Sequence, residues 1–457
     1  MKTRGILLFI LSIFVMLAVI CMVFPEGGVP MKFLTLHFPA LSDILNGGEE
    51  EAKESPDDLL AKRLAAISKA GGEDFMEYYG NNPARIYLPA DDLTFFDSLF
   101  AALDSAGSRR VRIVHYGDSQ IEEDRISSTL RDSLQTVFGG GGPGLLPVVD
   151  QYYSLSITEA SSAAPLRYSV FGPAELRSDD NRYGPLARKS HFDGTVTTAF
   201  FPVKHDDSPS RRFNRLTLLS SGGDVTVSCN GVTLNAEASS DIRYLRFEFP
   251  FDLERISFTH SGSHDVYGVT LDCETGVSLD NVPMRGNSGT IFTDIDAAQL
   301  SDYYNTENVR LIILEYGGNA IPHTKTGEEI SKYCKVISRQ ISYLKGLAPR
   351  AKILYIGPAD MATGVQGKMQ SYANLPEVVD SLRVTACRSG AAYWDMFAAM
   401  GGEGTMVQWV RQAPPLASED YIHFTRTGAA KIGELLYRTL MLYYDQYRIR
   451  NNDQNNK

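Results

Sequence analysis

Apolar and polar residues follow two rhythms along this chain. Runs of branched aliphatic residues predict short buried strands at residues 111–116, 278–284, 310–316, 351–356 and 392–395. Apolar residues recur at helical spacing at residues 59–69, 93–106, 121–137, 328–347, 376–389 and 428–444. Strands that alternate with helices through short connections favour a parallel sheet covered on both faces. The pattern therefore predicts the α/β class, with three layers.

A different pattern fills residues 150–275. Short segments that alternate apolar and polar residues occur at 216–219, 225–229, 232–234, 244–251, 255–260 and 266–271. Asn230 and Gly231 form a hairpin signal between two of them. These segments predict a β-sandwich inserted into the α/β body.

The first residues predict a membrane anchor. Lys2 and Arg4 precede an uncharged apolar stretch, residues 5–24, which is long enough to cross a bilayer. Positive charge before such a stretch keeps residues 1–4 in the cytoplasm and sends the rest across. A cleaved signal peptide is the alternative, but residues 21–25 contain no small-x-small cleavage site. We therefore expect an uncleaved transmembrane anchor and a catalytic body that faces the periplasm or the cell exterior.

A linker is predicted after the anchor, at residues 25–58. Its second part, residues 46–58, is acidic and poor in apolar residues. Such a composition predicts disorder, because the segment has too little apolar surface to bury.

Ser119 lies where a predicted strand breaks into a turn. Gly117, Asp118 and Ser119 follow the first strand and precede a helical pattern. A serine at such a turn stands clear of the sheet, near the positive end of a helix, which suits a nucleophile. Asp118 and Ser119 are also good helix N-caps, so the turn alone leaves both interpretations open.

A carboxylate and an imidazole are three residues apart near the C-terminus, at Asp420 and His423. In acyl transfer from a serine, the imidazole takes the hydroxyl proton and returns it to the leaving group, while the carboxylate fixes the imidazole tautomer. An isolated Asp-x-x-His motif is more often a surface cap beside a half-buried histidine. Together with the Gly-Asp-Ser turn, it predicts a Ser119-His423-Asp420 triad.

Two further strand ends supply candidate hydrogen-bond donors. One strand ends in Gly-Gly-Asn319, and another ends in the loop 285–289. Glycine lets a backbone N–H approach a ligand closely, and asparagine offers an amide donor. With the N–H of Ser119, Gly286 and Asn319 would form an oxyanion hole. Gly289 also fits, but Gly286 is closer to the end of the strand.

These blocks, in this order, resemble the SGNH hydrolases, also called GDSL esterases. In that family a serine, a glycine, the asparagine of a Gly-x-Asn block and a final Asp-x-x-His block form the site. The positions that match are Ser119, Gly286, Asn319, Asp420 and His423. The residue after the serine is glutamine, where the family name calls for leucine. The resemblance implies a flavodoxin-like three-layer fold and serine-dependent ester hydrolysis.

The long interval after the serine supports a narrower resemblance. Compact members of the family have the glycine block a few dozen residues after the serine, whereas here the predicted sandwich intervenes. Such an insertion is similar to the O-acetylpeptidoglycan esterases, whose inserted module resembles a carbohydrate-binding domain. The domains implied are a hydrolase at residues 59–149 and 276–447, an insertion at 150–275 and a tail at 448–457.

The function implied is removal of O-acetyl groups from an envelope glycan, first of all peptidoglycan. An O-acetyltransferase or an acetylxylan-type esterase of the same fold would use the same residues. A non-catalytic glycan-binding envelope protein is a further alternative.

Charge and cysteine content limit the classes of binding partner and cofactor that the chain suits. A net charge of -11 without a basic stripe argues against nucleic acid and against an anionic lipid surface, and fits an acetylated glycan better. No cysteine or histidine cluster has metal-ligand spacing, and the predicted serine mechanism needs no cofactor. Cys229 and Cys273 both fall in the predicted sandwich, and a disulfide between them stays open.

The glycine run at residues 139–144 lacks the Gly-Lys-Ser/Thr signature of a phosphate-binding loop. We interpret it as a flexible joint that ends the first helix.

Overall fold

A computed structural model describes residues 3–23, 29–31, 34–36, 55–71, 74–149, 154–203 and 207–455. The chain divides into two compact units, one of residues 1–55 with 364–369 and one of residues 56–363 with 370–457. The first unit contains helix α1 (Thr3–Val23) and a hairpin of β1 (Val29–Met31) and β2 (Leu34–Leu36). Most of the acidic linker segment, residues 46–54, lies outside the described residues.

The transmembrane part of the predicted fold is wrong. Most of the predicted span, residues 5–24, lies in α1. Crossing a bilayer needs about 20 consecutive, predominantly apolar residues in one helix. Among the helices that the structure describes, none meets this requirement of length and apolar character together.

The second unit is built on a six-stranded sheet of mixed direction. In spatial order its strands are β14 (Val277–Pro283), β4 (Val111–Gly117), β15 (Val309–Glu315), β16 (Lys352–Ile356), β19 (Ala392–Trp394) and β3 (Ile86–Tyr87). The first five run parallel, and β3 pairs antiparallel with β19 at the edge. Taken in chain order, the parallel strands follow the 2-1-3-4-5 arrangement of flavodoxin-like folds, so the strand order reverses between β4 and β15.

Helices cover both faces of this sheet. Neighbouring residues of each strand point to opposite sides, so each buried strand contributes apolar side chains to two cores that the helices complete. In β4, Ile113 packs into one apolar core and Val114 into the other. The helices of the first core are α2 (Pro56–Ala70), α3 (Phe75–Asn81), α4 (Asp97–Asp104), α5 (Ser127–Phe138), α9 (Met396–Met400), α10 (Thr405–Arg411) and α11 (Arg426–Asn455). The helices of the second core are α6 (Ala297–Thr306), α7 (Gly327–Leu347) and α8 (Leu375–Arg388). Because α11 runs to Asn455, most of the predicted polar tail is helical.

A nine-stranded antiparallel sheet lies between β4 and β14 along the chain. Its strands are β5 (Gly144–Leu146), β6 (Ile157–Ser161), β7 (Leu166–Ser169), β8 (Arg188–Pro202), β9 (Phe213–Gly222), β10 (Val225–Cys229), β11 (Val232–Ala236), β12 (Ser239–Leu253) and β13 (Ile256–Asp272). The longest, β13, pairs with β5, β8, β9 and β10, and the predicted hairpin turn at Asn230 and Gly231 joins β10 to β11. The sequence did not reveal β8, since Asp193 and Gly194 interrupt its alternating pattern. A separate two-stranded sheet consists of β17 (Ala362–Val365) and β18 (Lys368–Ser371).

The glycine run is a packed turn, not a flexible joint. Gly139, at φ +74°, ends α5 as expected. A Cβ atom on Gly142 would lie 2.1 Å from the carbonyl oxygen of Leu271, so only glycine fits against β13 there. Both Cys229 and Cys273 have free thiols.

Buried ion pairs join the antiparallel sheet to the α/β body. The guanidinium of Arg112 on β4 is fully buried and contacts Asp272 at the end of β13, Asp280 on β14 and Glu307 after α6. Burial alone would raise the pKa of Glu307, but the surrounding guanidinium groups, Arg112 first, hold that pKa below its usual range. An arginine without these carboxylates would be costly to bury, so the cluster fixes how the two sheets meet.

Candidate active site

The serine turn lies at the point where the strand order of the main sheet reverses. Ser119 follows β4 and Asn319 follows β15, the two strands on either side of this reversal. In open α/β sheets, ligands bind in the crevice at the carboxyl ends of the strands at such a point. The fold therefore brings these two predicted site residues to one crevice.

The segment after Ser119 differs from the predicted helix. Residues Ser119–Asp124 form a 3-10 turn, and α5 begins only at Ser127. Glu123 and Asp124 have positive φ angles of +60° and +66°, which interrupt the helix. Arg131 holds this break because its guanidinium donates two hydrogen bonds, of 2.6 and 2.9 Å, to the carboxylate of Asp124. Ser119 therefore precedes an irregular turn and not the first turn of an α-helix.

Ser119, His423 and Asp420 form a continuous hydrogen-bonded chain. Ser119 Oγ lies 2.7 Å from His423 Nε2, and His423 Nδ1 lies 2.7 Å from Asp420 Oδ2. The serine is buried, while the side chains of His423 and Asp420 are 26% and 47% exposed. The imidazole therefore has one nitrogen on the hydroxyl and the other on the carboxylate, as a serine nucleophile requires.

Asp420 also shapes the turn that presents His423. Its Oδ1 accepts hydrogen bonds from the backbone N–H groups of Ile422, at 2.9 Å, and His423, at 3.0 Å. Burial opposes ionisation, but the hydrogen bonds from the His423 side chain and from these N–H groups outweigh it and lower the pKa of Asp420. The carboxylate is thus ionised at neutral pH and faces the imidazole.

Two side chains without a predicted role, Gln120 and Arg125, tie the serine turn to the histidine loop. Gln120 donates to the carbonyl of Ile422 at 2.6 Å and accepts from the N–H of Phe424 at 3.4 Å, on either side of His423. Arg125 donates to the carbonyls of Ser119, at 2.5 Å, and Phe424, at 3.1 Å. In the sequence, the one available sign of this tie was the glutamine that replaces the family's leucine at position 120. Its structural reason is the pair of hydrogen bonds to the histidine loop.

The two candidate glycines occupy different surroundings. The N–H of Gly289 donates to Asn287 Oδ1 at 2.6 Å, and a Cβ on Gly289 would lie 2.8 Å from the ring of Tyr316. Gly286 is exposed, and within the described part of the chain its N–H has no hydrogen-bond partner. The N–H that is available to a ligand is therefore that of Gly286.

Asn319 is held in place by both of its amide hydrogens. Its Nδ2 donates to Asp118 Oδ2 at 3.0 Å and to the carbonyl of Asn287 at 3.1 Å. It thus links the serine turn to the loop that contains Gly286. Burial, followed by repulsion from Glu315 and Glu122, raises the pKa of Asp118 to about 7 against its two hydrogen bonds.

A cavity opens beside the serine. Ser119, His423 and Asn319 line it, together with three buried carboxyl groups. These carboxyl groups belong to Asp118, Glu315 and Asp360. Among the described residues, no three His, Cys, Asp or Glu side chains are grouped as a metal site would require.

Comparison with known proteins identifies the fold. A solved structure of a peptidoglycan O-acetylesterase is similar to this chain with a TM-score of 0.62 and 21% sequence identity, over 75% of this chain and 95% of that chain. The chain has the fold of the SGNH hydrolases. At this identity the likeness concerns the fold alone, and it agrees with the fold that the sequence motifs implied.

Other solved structures are less similar. A family two carbohydrate esterase from Cellvibrio japonicus has 13% identity and a TM-score of 0.27, over 64% of this chain and 98% of that chain. An acetyl xylan esterase has 15% identity and a TM-score of 0.28, over 35% of this chain and 80% of that chain. No protein-family model and no curated protein sequence matches the chain.

Proposed function

We propose that this protein is a serine esterase that removes O-acetyl groups from a glycan, and that the glycan is peptidoglycan. The observation that carries the proposal is the unbroken series of contacts from Ser119 through His423 to Asp420. It lies at the carboxyl end of β4, in the SGNH fold. Such a series activates a serine that is otherwise a weak nucleophile.

In the proposed reaction, Ser119 Oγ attacks the acetyl carbonyl carbon while its proton passes to His423 Nε2. The tetrahedral intermediate collapses, and His423 returns the proton to the departing sugar hydroxyl, which leaves an acetylated serine. Water then attacks this ester while His423 takes its proton, and His423 returns that proton to Ser119 Oγ as acetate is released. Asp420 keeps the proton of the neutral imidazole on Nδ1 and stabilises the charged imidazole at each stage.

The oxyanion of each intermediate is assigned to three donors. The N–H groups of Ser119 and Gly286 are available, since neither has a hydrogen-bond partner within the described residues. The Asn319 amide joins them by sharing one of the hydrogens that it donates to Asp118 and Asn287. Removing one such donor typically lowers kcat by about 100- to 1,000-fold.

Two observations support the choice of substrate. The fold is shared with a peptidoglycan O-acetylesterase over 95% of that chain. Asp118, Glu315 and Asp360 line the cavity beside the serine, and such carboxyl groups disfavour an anionic acyl group but accept a neutral acetyl ester. A glycan of this kind lies outside the cytoplasm, and we propose that the site acts there.

The activity is tested with the full chain on an aryl acetate. We expect Ser119→Ala and His423→Ala to reduce kcat to the background rate, while Ser342→Ala, at an exposed serine on α7, retains the wild-type rate. Equal rates for Ser119→Ala and the wild type would exclude the serine mechanism and favour a non-catalytic glycan-binding protein.

The substrate is tested by acetate release from O-acetylated peptidoglycan and from acetylated xylan. Brisk release from xylan without release from peptidoglycan would overturn the peptidoglycan assignment. Added sugar acceptors distinguish hydrolysis from transfer, because an O-acetyltransferase would form acetylated acceptor in place of free acetate.

A further inference from the structure

A second hydrogen-bonded series, separate from the triad, lies in the interior of the α/β body. It begins at Glu315 on β15, whose Oε2 lies 3.1 Å from His115 Nε2. On the other side of the ring, His115 Nδ1 lies 2.9 Å from the Oγ of Ser127, the first residue of α5. His115 and Ser127 are fully buried, and the proposed reaction uses neither of them.

The buried series continues from Ser127 to the serine turn. Ser127 Oγ lies 2.8 Å from Asn281 Oδ1, and Asn281 Nδ2 lies 3.1 Å from the carbonyl oxygen of Ile121. Ile121 belongs to the turn Ser119–Asp124, two residues after the proposed nucleophile. Side chains from β15, β4, α5 and β14 are therefore connected to the backbone of the turn that carries Ser119.

The strand register explains why these side chains meet. In the main sheet, His115 on β4 lies opposite Asn281 on β14 and opposite Ile313 on β15. Register partners, and residues two positions further along a strand, point to the same face of a sheet, so Glu315 shares the face of His115. Ile313 and the apolar residues of α5 belong to one core on this face. The sheet thus brings three of the polar side chains together, and α5 adds Ser127.

The direction of each hydrogen bond follows from the donors that are available. A carbonyl oxygen only accepts, so Asn281 offers its amide nitrogen to Ile121 and its side-chain oxygen to Ser127. The hydroxyl of Ser127 has one hydrogen, which it donates to that oxygen. His115 therefore donates from Nδ1 to Ser127, and the contact between His115 Nε2 and Glu315 needs a second hydrogen, on either atom. In both cases the His115 and Glu315 pair has no net charge.

An uncharged pair suits the position of Glu315 close to the reacting atoms. Glu315 lines the cavity beside the serine, and its Oε1 is buried without a hydrogen-bond partner among the described residues. An unpaired carboxylate there would be costly to bury and would repel the oxyanion of the reaction. His115 balances this group, although neither His115 nor Ser127 is among the described residues that line the cavity. Both residues therefore act on the site from behind it.

We propose that His115 is a positioning residue, which holds the serine turn through Ser127 and Asn281 with its Nδ1 as a hydrogen-bond donor. The inference rests on the proposed esterase function, because the effect concerns the placement of Ser119. A reacting group misplaced by about 1 Å can lose about 100-fold in rate. The loss should appear in kcat and not in KM, because His115 and Ser127 do not line the cavity.

The test measures kcat and KM on an aryl acetate for the full chain with Ser127→Ala, with His115→Leu and with both substitutions together. We expect each single variant to lower kcat by about 10- to 100-fold and to leave KM within about twofold. The double variant should lose at most about threefold more than the larger single loss, because the two residues act in one series. Ser127→Thr keeps the hydroxyl and should lose less than Ser127→Ala.

His260→Leu is the matched control, because it removes another fully buried imidazole, on β13 of the antiparallel sheet and outside the buried series. It should retain the wild-type kcat. Urea unfolding of every variant separates a loss of folded protein from a loss of turnover per folded chain. An unchanged kcat for Ser127→Ala, single losses that multiply in the double variant, or an equal loss for His260→Leu would overturn the proposal.

The hydrogen on His115 is tested without catalysis, by nitrogen NMR of the wild type with isotope-labelled histidines. The His115 signals are assigned by their loss in His115→Leu or by their shift in Ser127→Ala. A protonated Nδ1 is expected, and an Nδ1 without a hydrogen would overturn the proposal. If the wild type hydrolyses no acetyl ester, the proposed function fails, whereas a protonated Nδ1 that responds to Ser127→Ala would still support the buried series.

Discussion

The substitution Asp420→Asn gives the most quantitative test of the proposed triad. Its carboxylate lies 2.7 Å from His423 Nδ1, but the two side chains are 47% and 26% exposed. Unit charges about 4 Å apart interact by about 1 kcal/mol in water and about 4 kcal/mol at an effective dielectric constant near 20. A half-exposed pair lies between these limits, so the carboxylate should stabilise the charged imidazole by about 2 to 3 kcal/mol.

This stabilisation corresponds to a loss of roughly 30- to 150-fold in kcat for Asp420→Asn. A fully buried triad aspartate is worth about 10,000-fold, so exposure predicts a smaller effect here. Asparagine can still accept from the N–H groups of Ile422 and His423, so the turn is retained. The loss should shrink further at high salt, because an exposed pair is screened.

The assay is kcat on an aryl acetate under saturating conditions, at low and high ionic strength. Glu419→Gln is the matched control, since it removes the neighbouring exposed carboxylate, which has no hydrogen bond to His423 in the structure. A loss below about fivefold for Asp420→Asn, or an equal loss for Glu419→Gln, would refute the reasoning that this carboxylate orients and stabilises the imidazole.

Three further predictions concern the surroundings of the site. The pKa of Asp118 is raised to about 7 in the folded chain, from 3.8. The folded state therefore binds the extra proton between these values, and its free energy of unfolding falls as pH rises through this window. Relative to the wild type, the free energy of unfolding of Asp118→Asn should rise by at most about 4 kcal/mol between pH 4 and pH 7, as measured by urea unfolding. A difference between the two proteins that stays constant with pH would contradict this prediction. Arg112→Met should lower the free energy of unfolding by about 3 to 5 kcal/mol, because the buried carboxylate of Asp280 loses its guanidinium partner; unchanged urea midpoints would exclude this role. Arg125→Met should lower kcat on an aryl acetate by about 10- to 100-fold with little change in KM, because the tie between the serine turn and the histidine loop is lost, and Arg125→Lys should lose less.

Local patterns predicted much of the α/β body. The strand at residues 111–116 is β4, and the helical pattern at 328–347 is α7 with a Thr326 capping box. The hairpin at Asn230 and Gly231 follows from residues that adopt positive φ at low cost. These features depend on neighbours along the chain, and a sequence displays them directly.

The misses arise where side-chain or backbone packing overrides the local pattern, or where an element is too short to show one. The helix predicted to start at residue 121 is broken because Arg131 holds Asp124 in a conformation that no helix contains. The glycine run is packed because β13 passes within contact distance of Gly142. The antiparallel edge strand β3 is only two residues long, too short to show a period.

Within the site, the sequence by itself determined the short-range pieces. Asp420 and His423 are three residues apart, so one turn suffices to pair them. Only the tertiary structure decided that His423 contacts Ser119, which is 304 residues away along the chain. It also decided that Gln120 and Arg125 hold the two segments together by hydrogen bonds. It also decided that both amide hydrogens of Asn319 are engaged. The physical reason is that residue type and periodicity set local conformation, whereas the register of the sheets and the packing between them set which distant side chains come into contact.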